Sequence, residues 1–288
     1  MLLAPHRTGI SPMSIFRTPR RWAAALVAGL AVAICGALLS TAASGAAASG
    51  TVKPNAKPTV VLVHGAFADS SGWNGVVARL QRDGYPVIAV ANPLRGVASD
   101  ADYVRDVLRT VAGPVVLVGH SYGGSVITNA ALGDSRVKAL VYIAGFAPDT
   151  GESAVELSNK FPGSTLAATL EQIPLGGGAL DLRVRQDLFP QQFAADVPVR
   201  EARLMAVAQR PITAGALNEA SGKPAWKTTP SYFLIPTGDK NIPPAAQRFM
   251  AERAHGTIVT VRKASHAVFV SKPGVTARLI ELAARQRG

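Results

Sequence analysis

From residue 59 onward the apolar and polar positions sort the chain into two kinds of segment. Short runs rich in β-branched residues, "TVVLV" (59–63), "PVIAV" (86–90), "PVVLV" (114–118), "VKALVYIA" (137–144), "YFLIP" (232–236) and "TIVTV" (257–261), are continuously apolar. That is the pattern of strands covered on both faces of a parallel sheet. Between them, "WNGVVARLQRD" (73–83), "DADYVRDVLRTV" (100–111) and "PAAQRFMAERA" (244–254) show helical spacing with breakers at their ends. The alternation predicts a βαβ series, an α/β fold whose six strands form a mostly parallel sheet flanked by helices.

Residues 149–229 interrupt this alternation. They are rich in Pro, Gly and Gln, include helical stretches such as "REARLMAVAQR", and hold no strand-like run as strong as the six above. They read as a mostly helical cap over one end of the sheet. Gly176–Gly178 lack the lysine and strand-to-helix setting of a phosphate loop and read as a hinge or turn. Residues 49–58, small, polar and broken by proline, read as a linker. The main domain is therefore 59–288, with the cap at 149–229 inserted in it.

The N-terminus changes the picture of where the domain works. Four arginines up to Arg21 precede an apolar stretch, "WAAALVAGLAVAICGALL", and then a small-residue tail. This is the build of an export signal over 1–48. Its apolar part sits at the lower limit for a bilayer span, so a cleaved signal is preferred to an uncleaved anchor, and either way the domain faces out. The expected product is secreted or held in the cell envelope, with no membrane attachment after cleavage. The formal charge is +12, but the 30 basic residues are scattered and show no aromatic-interleaved stripe. A nucleic-acid partner is not expected. The single cysteine, Cys35, lies in the apolar N-terminal stretch, so the domain has no disulfide, thiolate metal cluster or cysteine nucleophile.

Nucleophilic chemistry falls to a serine. "GHSYGG" (119–124) places Ser121 between glycines where the strand "PVVLV" gives way to a helical stretch, the setting that gives GxSxG its meaning. The glycines make room for a strained turn that lifts the hydroxyl into the open. A serine needs a base. His6 lies in the signal, His120 is beside the serine and points elsewhere, His255 follows a helix, and His64 opens the first loop. His266, in the loop after the last strand, is the candidate, because loops at the carboxyl ends of parallel strands converge. An acid should hold that base. Asp239, just past "YFLIP", is preferred; Asp149, also after a strand, is the second candidate. The amides of Ala66 and Tyr122 are placed to stabilise an oxyanion, while His64 and Gly65 shape the first loop. Phe67, Trp73, Leu166 and Met205 are candidates for an apolar pocket.

With "VLVHGAF", "VGHSYGG", "TGD" and "SHAVF" in this order, the chain from Thr59 onward resembles the α/β-hydrolase superfamily, and within it the small six-stranded, capped group of plant-type carboxylesterases and hydroxynitrile lyases. The resemblance implies a serine hydrolase of carboxylesterase type, acting on a small ester or lactone through an acyl-enzyme on Ser121. His266 would move the proton and Asp239 would orient it, with neither metal nor organic cofactor. Hydroxynitrile lyases of the group carry a lysine after the catalytic histidine; Ala267 stands here, which disfavours cyanogenic chemistry. Amidase, thioesterase, acyltransferase or perhydrolase activity would use the same residues. A non-catalytic ligand-binding protein on this scaffold is the rival from another class.

Overall fold

The structure, a computed structural model, describes residues 57–285. The export signal expected over 1–48, and the linker apart from Lys57 and Pro58, lie outside the described residues. Nine strands follow in chain order: β1 (Thr59–Val63), β2 (Val87–Val90), β3 (Val115–His120), β4 (Val137–Ile143), β5 (Leu170–Pro174), β6 (Leu180–Val184), β7 (Ile212–Thr213), β8 (Ser231–Pro236) and β9 (Thr257–Val261). Six of them, in the order β2-β1-β3-β4-β8-β9, form one sheet in which every pairing is parallel. All six are the apolar runs read from the sequence.

Burial follows position in the sheet. Every residue of β3 and β8 is buried, while the edge strands β2 and β9 are only partly covered. Helices α1 (Asn74–Arg82) and α10 (Pro273–Ala284) pack together with the short α9 (Val268–Ser271), as do α2 (Val97–Arg109) and α3 (Tyr122–Ala130), while α8 (Pro244–Arg253) lies against β8. α10 and α3 both reach β3 and β4, and because the chain steps one way from β1 to β2 and the other way from β3 to β4, right-handed crossovers set the two helix pairs on opposite faces. Continuous valine and leucine runs belong in such a sheet because neither face meets water. The loops leaving β1, β3, β8 and β9 all emerge at the carboxyl edge and meet there. Among the described residues no helix is long and apolar enough to cross a membrane.

The cap differs from the mostly helical insertion that the sequence suggests. It carries short helices, α4 (Ala154–Asn159), α5 (Phe189–Gln192), α6 (Val199–Ala208) and α7 (Ala214–Asn218), together with a three-stranded antiparallel sheet in the order β5-β6-β7. The reason lies in "LDLRV": with period two, its leucines and valine fall on one face and its charges on the other, as in a half-covered strand. Gly176–Gly178 form the turn between β5 and β6, where Gly177 and Gly178 take φ of +73° and +80°. This is a hairpin turn, at a backbone conformation that side chains resist.

The cap is tied to the main domain on two sides. Phe67 N donates to Arg210 O (3.0 Å), Thr213 N to Leu94 O (3.1 Å), and the Arg95 guanidinium reaches both Asp181 and Pro211 O. Opposite, Thr165 N donates to Lys240 O (2.9 Å) and Ala267 N to Phe193 O (3.0 Å). The loops after β1, β8 and β9 thus hang on the cap.

Candidate active site

β3 ends at His120 and α3 begins at Tyr122, so the whole reversal falls on Ser121, which takes φ 53° and ψ −125°. A side chain there carries strain of about 1–3 kcal/mol. Surrounding bonds hold it: Ser121 N donates to Ile143 O (3.2 Å), while Ser121 O accepts from Gly124 N (2.9 Å) and Phe146 N (3.1 Å). Crowding explains the glycines. A Cβ on Gly119 would stand 2.5 Å from Gly123 O, and one on Gly123 would stand 2.5 Å from Val63 O. On Gly65 it would meet the Ser121 Cβ at 2.6 Å. The strands, elbow and first loop approach so closely that no side chain fits between them.

The loop after β9 carries His266 and the loop after β8 carries Asp239, and both side chains are buried. His266 Nδ1 lies 2.8 Å from Asp239 Oδ2. Asp239 has a full set of donors. Oδ1 accepts from the amides of Asn241 (2.7 Å) and Ile242 (3.1 Å), and Oδ2 also accepts from Gln247 Nε2 (2.8 Å). A carboxylate so surrounded can only accept, so Nδ1 of His266 is the donor, and in the neutral ring the lone pair is then on Nε2. Asp149, the second candidate, is elsewhere: it pairs with Lys227 Nζ at 2.7 Å, and that hydrogen bond holds its carboxyl below the usual carboxylate range.

His266 reaches the elbow through His120. The two rings have centroids 4.7 Å apart, and His120 Nε2 bonds to the carbonyl oxygen of His266 (3.1 Å). Burial pushes His120 well below the ordinary histidine range, so it stays neutral beside the second ring. Its part in seating His266 has no signature in the sequence, since 146 residues separate them. His64 has a bracing part. Its Nε2 accepts from Asn92 N (3.0 Å), and Asn92 Nδ2 returns a bond to His64 O (2.9 Å), locking the loop after β1 to the one after β2. Burial lowers its pKa too. His255 is exposed at the end of a helix, and His6 lies outside the described residues.

Ser121, Ala66 and Tyr122 share the wall of one cavity of about 180 Å³. Tyr122 supplies the first amide of α3, where the helix leaves donors unspent and the dipole is positive. The amide of Ala66 has no acceptor among the described residues. The Tyr122 phenol turns away and donates to the buried Asp100 (2.9 Å), which fixes the helix start. Of the pocket candidates, Phe67 and Leu166 line this cavity. Two others need correction. Trp73 is fully buried beneath the site against Phe269 (ring centroids 4.6 Å) and does not face the cavity. Met205 lines a separate cleft of about 310 Å³ on the far side of Phe67. Most of the remaining wall comes from residues the sequence did not single out, including Leu170 and Leu182 of the cap hairpin, Leu217 and Asn241. Among the described residues no group of three or more His, Cys, Asp or Glu is placed to hold a metal ion.

A model of the alpha/beta hydrolase family matches residues 60–279. An alpha/beta hydrolase of Aspergillus novofumigatus is 28% identical over 253 residues, which span 79% of this chain and 97% of that protein. A pyrethroid hydrolase of Sphingobium wenxiniae is 26% identical over 236 residues, 74% of this chain and 83% of that one. The crystal structure of polyneuridine aldehyde esterase superimposes with a TM-score of 0.68 at 16% identity, covering 78% of this chain and 98% of the other, a likeness of fold.

Proposed function

Because the chain belongs to the alpha/beta hydrolase family, we propose that it is an exported serine hydrolase that cleaves small carboxylic esters through an acyl-enzyme on Ser121. The observation that carries this reading is the His266–Asp239 contact of 2.8 Å beside the elbow, which leaves His266 Nε2 as an oriented base. A sequence relative named as a pyrethroid hydrolase supports the ester reading over a ligand-binding role.

The proposed steps follow from the placement of the groups. Substrate enters the cavity with its carbonyl carbon at Ser121 Oγ. As the oxygen attacks, its proton passes to His266 Nε2, and Asp239 stabilises the imidazolium through Nδ1. Negative charge moves to the carbonyl oxygen, where the amides of Ala66 and Tyr122 meet it at the positive end of α3. His266 returns the proton to the departing alcohol. Water, deprotonated by the same ring, then attacks the acyl-serine, and as the C–Oγ bond breaks the ring returns that proton to Ser121 Oγ and the acid is freed. Ser121 Oγ and His266 Nε2 form no hydrogen bond in this structure; in the proposed mechanism that bond is made in the complex with substrate, where catalytic hydrogen bonds tighten. Export is proposed from the arginines and apolar stretch ahead of the linker.

The size of the cavity sets the test. With about 180 Å³ and a wall of leucines, it fits short acyl chains. Hydrolysis of 4-nitrophenyl esters is expected to peak at short chains, with kcat/KM for the butyrate exceeding that for the palmitate by at least about tenfold. A folded protein that turns over none of the series would contradict the proposal.

A further inference from the structure

The chain leaves β1 along the wall of the Ser121 cavity and crosses at Phe67 into a different opening. Ala66 lines that cavity, Ala68 and Asp69 line the cleft of about 310 Å³, and among the described residues Phe67 alone lines both. From the cap side the same divide is met by Arg210, whose carbonyl accepts from Phe67 N (3.0 Å), and by Gln209, which lines the cleft. Gln209 is tied to β6: Val184 N donates to its Oε1 (2.9 Å), and its Nε2 donates to Val184 O (2.7 Å). β6 in turn brings Leu182 to the Ser121 cavity. Phe67 thus meets a braced strip of the cap where the two spaces adjoin.

Phe67 is only 3% exposed although it borders two openings, so its ring is packed and hangs free in neither. Its φ is +62°, a left-handed backbone that a bulky side chain resists and a glycine would take without strain. A large aromatic kept at such a position, next to Ala66, points to a use for the side chain. Beyond it the cleft suits hydrocarbon: Leu204, Met205, Ala208 and Val270 line it, and because Leu204 is exposed the cleft reaches solvent. The charged residues of its wall, Asp69 and Glu201, are both acids, which disfavours an anionic tail there.

We infer that the Phe67 side chain is a specificity-determining stop: it ends the Ser121 cavity, confines the site to esters with short chains, and bars a neutral aliphatic chain from continuing into the cleft beside α6. This deepens the ester-hydrolase reading and rests on it for the identity of the ligand. With the ring removed, the two spaces would join into one of more than twice the cavity's own volume, since the cleft alone is the larger. Each methylene that passes the stop then leaves water for an apolar wall, a gain that the native cavity withholds.

The test reads chain length. Across 4-nitrophenyl esters from the butyrate to the dodecanoate, Phe67→Ala is expected to raise the ratio of kcat/KM for the decanoate to that for the butyrate by at least about tenfold. Phe67→Leu, which keeps more of the core packing, should move the ratio the same way by less, and it serves if the alanine variant fails to fold. Filling the cleft on top of Phe67→Ala, by Ala208→Trp or by Met205→Trp, should return the ratio toward its starting value, whereas Ala208→Trp alone should leave it unchanged. A ratio within about twofold of the unmodified protein in every folded Phe67 variant, or a gain that both cleft fillings leave intact, would overturn the inference. Binding is scored separately, by calorimetry with n-alkanols of four to twelve carbons on the Ser121→Ala protein with and without Phe67→Ala. Affinity that stops rising beyond a short chain with Phe67 in place, and goes on rising without it, upholds the stop even where no ester is hydrolysed, an outcome that overturns the ester reading alone. The same rise in both proteins overturns the stop.

Discussion

Ser121→Ala is expected to lower kcat/KM for 4-nitrophenyl butyrate by about 10⁴-fold to 10⁶-fold while leaving the melting temperature nearly unchanged. Both halves follow from the elbow. The hydroxyl oxygen is the only atom lost, and Ser121 is nearly buried but lines the cavity instead of supporting the core. The strain at φ 53° is set by the backbone and is shared by serine and alanine alike. Residual turnover from the amides of Ala66 and Tyr122 should remain above the rate in water. Activity within tenfold of the unmodified enzyme would show that another group attacks the ester.

Asp239→Asn carries the second large effect, about 10⁴-fold in kcat, for a reason legible in its four hydrogen bonds. The asparagine oxygen is still needed by the amides of Asn241 and Ile242, so the new NH₂ group must take the place of Oδ2. There it faces Gln247 Nε2 and His266 Nδ1, both of which donate to Oδ2 in the native site. The ring can relieve the clash only by moving its proton to Nε2, the atom that must receive the serine proton. A correct fold with the wrong tautomer is the expected outcome, measured as a loss in kcat that exceeds any change in KM. Asp149→Asn is the matched control. It removes a surface ion pair with Lys227, worth at most about 1 kcal/mol, and should leave kcat within a few-fold of its starting value. A large loss at Asp149 with little at Asp239 would reverse the assignment.

The reach of the sequence varied with the range of the interactions. Strands β1, β3, β4 and β8 were readable because two-sided burial writes itself as continuous apolar runs, and the partly covered edge strands β2 and β9 because they too are short β-branched runs. The elbow was readable because its sterics are local: Gly119 and Gly123 are required by backbone atoms on the elbow itself and on the neighbouring strand. Asp239 and His266, 27 residues apart, meet because both follow strands at the same sheet edge, an inference from topology that needs no contact information. The cap sheet was missed although "LDLRV" alternates, because its strands are short and half covered and no long apolar run announces them. Trp73 and Met205 were misplaced for a different reason. Apolar side chains look alike in sequence whether they face a cavity, a neighbouring cleft or the core, and only the backbone path around Phe67 divides these. His120 acts through a partner on a distant element, the carbonyl of His266, so its environment exists only in the folded chain.

A nucleophilic serine served by an oriented histidine is the central claim, and covalent trapping reads it most directly. The protein is treated with a fluorophosphonate, digested, and the modified peptide is located by mass spectrometry. One phosphonyl group on the peptide that contains Ser121 is the expected result, with no adduct on Ser121→Ala and slow labelling of Asp239→Asn. A folded protein that stays unlabelled, or a label on a different residue, would contradict it.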